Sequence, residues 1–173
     1  MKKIFLLTMI TVFALGLFVK PAVAEDGLKI GYLNVNKVFD DYKKTKDQDA
    51  ALEKETKAKQ AERDKLVSEI TRLRDEMELL SEKGKQDKQA IIDEKVKKLQ
   101  EFDRVARGDL KKRRDDMVAE ILKEINKVVQ DYGSKEGYDI ILNDTVLVYK
   151  KDVLDVTDAI LKAINGQYAP SSK

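Results

Sequence analysis

Most side chains that carry out chemistry in proteins are absent from this sequence or stand alone in it. It contains no histidine and no cysteine. That removes the imidazole general base, the thiolate nucleophile and the commonest ligands for zinc and copper. The serines outside the leader, Ser68, Ser81, Ser134, Ser171 and Ser172, have no histidine to activate them. Carboxylates are abundant, with 32 Asp and Glu, but they are interleaved with 34 Lys and Arg. Carboxylates in such surroundings are solvated or paired, not tuned for acid–base work. No catalytic residue, metal site or cofactor is expected, and an enzyme is disfavoured.

The remaining chemistry is that of contact. The densest basic run, KKRR at 111–114, is followed at once by Asp115 and Asp116 and has no aromatic neighbour on which a base would stack. It reads as a solvated helix face, and nucleic acid is not an expected partner. Lys83, Lys85 and Lys88 cluster near Glu82 and Asp87. They read as a solvated turn or as a basic tip able to touch anionic lipid or acidic groups of a client. Val67, Leu79 and Ile91 are apolar but lie beside the main apolar seam, so they either widen that seam or face a client chain. Met77 is an adaptable contact by type, although its position on the seam favours a packing role.

Two ends and a middle must position these groups. Residues 1–24 carry a basic MKK, an apolar run at 4–19 and the small-x-small step Ala22–Ala24. This is the layout of a cleaved secretory signal peptide. The run is shorter than the roughly 20 apolar residues of a membrane span, so a soluble exported protein is expected. Removing Lys2, Lys3 and Lys20 takes the formal charge from +2 to −1. A general attraction to nucleic acid loses its footing with it.

Between 43 and 131 the only aromatic is Phe102, and about half of the residues are charged. Leu66, Ile70, Leu73, Met77 and Leu80 step by four and three, an a/d seam. The stretch 81–89 interrupts it, with Gly84 as a turn residue. A second run follows at Ile92, Val96, Leu99, Asp103, Ala106, Leu110, Arg113 and Met117, then Ile121, Ile125 and Val128. The expectation is a long antiparallel helical hairpin over 43–131, with its tip near 81–89 and an arm about 65 Å long. With that tip, Leu73 should meet Leu99; a pairing of Arg63 with Asp109 is the alternative that would stiffen mid-arm. Lys59, Arg63, Asp103 and Arg113 are polar seam positions, which predicts a soft zone around 56–63 and 103–114.

The packable material lies at the ends. Ile30, Tyr32 and Val35 predict a first strand, with Asn36 as the cap of the following helix. IILN and VLVY around Asn143–Asp144 predict a hairpin. Asp152 then opens a last helix that stops at Asn165–Gly166, leaving 167–173 as a flexible tail. Residues 25–42 and 132–166 therefore form a small β-rich body, α+β in class with the arm. Its apolar strands, through Ile30, Tyr32, Ile140, Leu142, Val146 and Val148, are expected to self-associate, because so small a sheet is marginal alone.

IGYLNVNKVF (30–39), GYDIILN (137–143) with VLVY (146–149), and DVTDAILKAIN (155–165) resemble the Skp/OmpH family of periplasmic chaperones, and the likeness runs along the whole mature chain. Asn34 departs from it, since an acidic residue is expected there. The resemblance implies a homotrimer whose strands form one shared body, with three hairpins enclosing a cavity. It implies a holdase that keeps unfolded outer-membrane β-barrel proteins from aggregating without ATP. A structural envelope coiled-coil tether is the alternative reading.

Overall fold

The computed structural model describes residues 27–169; the expected leader and the last part of the tail, 170–173, lie outside the described residues. The elements are β1 (Ile30–Leu33), α1 (Val35–Asp41), α2 (Lys43–Glu78), α3 (Glu82–Glu136), β2 (Ile140–Asn143) and α4 (Thr157–Gln167). Single 3₁₀ turns at Asp144–Val146 and Asp152–Leu154 lie between β2 and α4. The architecture is α+β: a long helical hairpin of α2 and α3 on a small body of β1, β2, α1 and α4.

The two arm helices differ in length, and this sets the topology. α2 has 36 residues and α3 has 55, so α3 is longer by almost 30 Å at about 1.5 Å per residue. The excess carries α3 down the full height of the body. Gly137, at φ 72°, then ends the helix in the left-handed conformation, which glycine adopts without steric cost. The chain emerges beside Lys29, at the start of β1, and β2 runs the same way as β1. The pairing is therefore parallel, Ile30 beside Ile140 and Leu33 beside Asn143.

Two separate apolar cores result. The larger one joins Leu33, Val38 and Tyr42 to Met117, Ile121, Ile125 and Val128 of α3 and to Val156, Ile160 and Ile164. The smaller one, far along the arm, is Ile70, Leu73 and Ile92, with Met77, Val96 and Leu99 against it. The arm between them is mostly polar.

Several expectations are corrected. Asn34, not Asn36, caps α1 by accepting the Lys37 N–H at 2.7 Å. The first helix breaks at Tyr42, whose ψ of 127° is extended. The arm turn is Leu79–Ser81, at the leading edge of the expected 81–89 stretch. Gly84 is helical and lets α3 start close to Leu80: a Cβ there would lie 3.2 Å from that of Leu80. With the turn earlier, the register slides. Arg63 meets Asp103 rather than Asp109, more than one helical turn nearer the tip. Val146 and Val148 are not in a strand, so no hairpin forms around Asn143–Asp144. The tail begins later than expected, since Gln167 closes α4 and Tyr168 is bonded to the arm.

Candidate interaction surfaces

The distal arm presents apolar side chains to solvent. Leu79, in the turn, is 89% exposed, Ile91 45% and Leu80 39%. Two of them sit where hairpin geometry leaves no partner: Leu79 lies beyond the last α2 turn, and Ile91 is the outward neighbour of the buried Ile92. Val67 is half-buried on the flank of the seam. Met77 packs against the Ile70–Leu73–Ile92 cluster, so it is first a packing residue. Val105, 41% exposed, extends this scatter toward the root, since its neighbour Ala106 takes the seam position.

The basic groups at the tip divide by partner. Lys88 crosses the arm to Glu76 at 2.8 Å, and Lys85 bonds Glu82 at 3.1 Å within its own helix. Lys83 makes no ion pair among the described residues, which leaves it as the free cation of the three. The bond to Lys88 holds the Glu76 carboxyl below the usual carboxylate range, and Lys95 does the same for Glu69 from 2.8 Å. These pairs link α2 to α3 on the surface.

At mid-arm, Arg63 bonds Asp103 at 3.0 Å and Arg113 bonds Glu55 at 3.0 Å. Between them lies a cleft of about 150 Å³ lined by Thr56, Arg63, Phe102, Asp103 and Leu110. Nearer the root is a second, of about 500 Å³, beside Gln48, Glu55, Arg113 and Met117. The seam here is bridged by ions and gapped.

At the root, α4 holds the arm. No side chain of the Tyr42 cap position satisfies the start of α2; instead Asn165 Oδ1 accepts the Lys43 N–H at 2.8 Å. Tyr168 Oη donates to Asp47 at 2.9 Å, and its ring meets that of Tyr42 edge-on at 5.7 Å. Tyr42 Oη donates to Glu124 at 3.0 Å. Burial, reinforced by that bond, pushes the Tyr42 phenol up to about 12. Lys44 loses hydration here, yet its bonds to Glu120 and Glu124 outweigh that and raise its pKa.

Of the six residues expected to self-associate, four lie on the two strands and two in the loop that follows β2. The inner face of the sheet sends Leu33 and Ile141 to the large core. The outer face carries Ile30, Tyr32, Ile140 and Leu142, as strand alternation requires. Ile30 and Ile140, paired in register, are 38% and 40% exposed. Leu142 is half-buried, and Tyr32 is buried within the single chain. Val146 and Val148 extend the apolar surface along the loop, together with exposed Tyr149 and Val153.

Comparison with known proteins places this architecture. The family described as "Outer membrane protein (OmpH-like)" matches residues 29–164. The chaperone protein Skp of Yersinia enterocolitica is 24% identical over 158 residues, covering 87% of this chain and 94% of that protein. The crystal structure of an OmpH-like outer-membrane chaperone from Caulobacter crescentus superposes with a TM-score of 0.77 at 12% identity, covering 85% of this chain and 89% of that one. That likeness is one of fold. Among the described residues, no helix is long and apolar enough to cross a membrane.

Proposed function

Because the chain belongs to the OmpH-like family, matched from residue 29 to 164, we propose that it is an ATP-independent holdase. In this reading it works in the periplasm after removal of its leader. It binds unfolded outer-membrane β-barrel proteins, keeps them from aggregating, and uses no catalytic step and no cofactor. Its similarity to the chaperone protein Skp supports the general role. The observation that carries the finer reading is the distal arm: Leu79, Leu80 and Ile91 stay exposed among charges, where a tether would bury or lack them. Scattered apolar contacts on a charged rod bind weakly and in many registers, which a holder without nucleotide needs for release.

Self-association completes the proposal. A two-stranded sheet has a free edge and an apolar outer face, and neither is stable in water alone. Strands and loops of further copies, in a homotrimer, would cover Ile30, Ile140, Val146 and Val148. Three arms would then surround one client. Lys83 at each tip is placed to meet client acids or anionic lipid.

The test is dilution of a urea-unfolded outer-membrane barrel protein into buffer with and without this protein and without ATP, followed by light scattering. Suppression near one oligomer per client is the expected result. Unchanged scattering would move the coiled-coil tether to the front. The double variant Leu79→Ser, Ile91→Ser should hold clients several-fold less well with its helix content intact.

A further inference from the structure

Self-association, the reading on which this inference rests, requires apolar side chains that are held still as well as exposed. The loop carrying Val146, Val148 and Tyr149 has little backbone support: Leu147 N–H donates to Asp144 O at 3.1 Å, and Thr145 N–H to Asn143 Oδ1 at 3.3 Å. Side chains do the rest. Asp144 Oδ2 accepts from Asn34 Nδ2 at 3.0 Å and from Lys150 Nζ at 2.8 Å. The Lys150 ammonium lies 4.7 Å from the centroid of the Tyr32 ring, on the outer face of the sheet. Asn34 is fixed in turn: its side chain caps α1, and its own N–H donates to Thr157 Oγ1 at 2.9 Å. One carboxylate thus pins both ends of the 144–150 loop to β1, α1 and α4. Its other oxygen, Oδ1, is buried and has no partner among the described residues.

We propose that Asp144, clasped by Asn34 and Lys150, is the positioning residue of the self-association surface, holding Val146, Val148 and Tyr149 as a preformed face for a second copy of this chain. The occupant follows from the chemistry of the face. Asp144 and Lys150, at the two ends of the loop, are paired with each other, so the apolar stretch between them carries no unpaired charge. What it exposes is aliphatic and aromatic: Val146 at 68%, Val148 at 106% and Tyr149 at 78%. Beside it lies the unpaired edge of β2. The surface that best matches an apolar loop and an open strand edge is another apolar loop and strand edge. Holding the loop in place before contact removes the entropy cost of ordering it on contact, so the effect should lie mainly in the dissociation rate.

The test is sedimentation velocity on the purified protein with its leader removed, from below micromolar to about 100 µM. The native protein should associate. Lys150→Met should weaken association at least tenfold with unchanged helix content, and Lys150→Arg, which keeps the ion pair and the ring contact, should restore it. Asp144→Ala should match Lys150→Met, and Val148→Asp should dissociate the assembly outright. If Val148→Asp dissociates it while Lys150→Met stays within twofold of native, the positioning role is wrong and the surface stands. A native protein that remains a single chain throughout, or a Val148→Asp protein that associates normally, overturns the self-association reading and this inference with it.

Discussion

Asn34 shows how one atom type can decide a site. Both ends of its amide are used: Oδ1 caps α1, and Nδ2 donates to the Asp144 carboxylate. The acidic residue that the family resemblance led one to expect would serve the first role and defeat the second, placing two carboxylates about a hydrogen bond apart. Asn34→Asp should therefore cost on the order of 1–3 kcal/mol at neutral pH. The sign with pH follows. Repulsion raises the pKa of one of the pair above its unfolded value, so the penalty is full above the carboxylate range and disappears as pH falls through it. Thermal melts of both proteins at pH 7 and near pH 4 should converge at the lower value; a gap that persists at acid pH would mean that the cap, not the charge, is damaged. The departure at Asn34 was visible in the sequence. Its reason was not, because Asp144 is 110 residues away and only the overshoot of α3 brings the two together.

At the scale of elements, the two apolar runs announced a hairpin, since their three-four stepping needs a partner helix. The register was another matter. Gly84 has the type of a turn residue, but glycine is equally at home in a helix start that another side chain crowds, and periodicity alone does not separate the two cases. VLVY has strand propensity, yet the 3₁₀ turn at Asp144–Val146 takes up its first residue, and the free edge of β2 stays unpaired within the chain. The arm yields two predictions. Gly108 lies within α3, and a Cβ there would meet nothing within 4 Å; Gly108→Ala should stabilise the protein by about 1 kcal/mol through helix propensity alone, read as a raised melting temperature. The second concerns acid. Glu69 and Glu76 have carboxyls held low by cross-arm lysines, so their contribution is full above the ordinary carboxylate range and is lost as pH falls through the depressed values. Below the ordinary carboxylate range, amide protection, corrected for the intrinsic exchange rate at each pH, should fall around 66–77 and 88–99 before it falls at 117–128; simultaneous loosening would show that these pairs do not join the arm.

For the whole molecule, the separation of the cores matters more than any single contact. Ten buried residues, from β1, α1, α3, α4 and the junctions at Tyr42 and Val156, lock the root of the arm into the body, while the distal arm depends on Ile70, Leu73 and Ile92 and a few neighbours. Nothing comparable bridges them: the intervening stretch has the Arg63–Asp103 and Arg113–Glu55 pairs, partly exposed, beside clefts of about 150 and 500 Å³. Exposed pairs contribute little and weaken in salt, so the two cores should not melt as one. Heating should unfold the distal arm first, as a partial loss of helical ellipticity, with the root and body following at higher temperature. Raising salt to 1 M should widen the gap by loosening mid-arm. Hydrogen exchange would place the boundary, with amides at 56–63 and 103–113 less protected than those near Leu73 and Leu99. A single transition, or equal protection along the arm, would mean that α3 carries cooperativity through the gap and that the arm is a stiff rod. The distinction bears on the proposed function, because arms that yield between two cores can close on clients of different size, whereas stiff arms would fit only one.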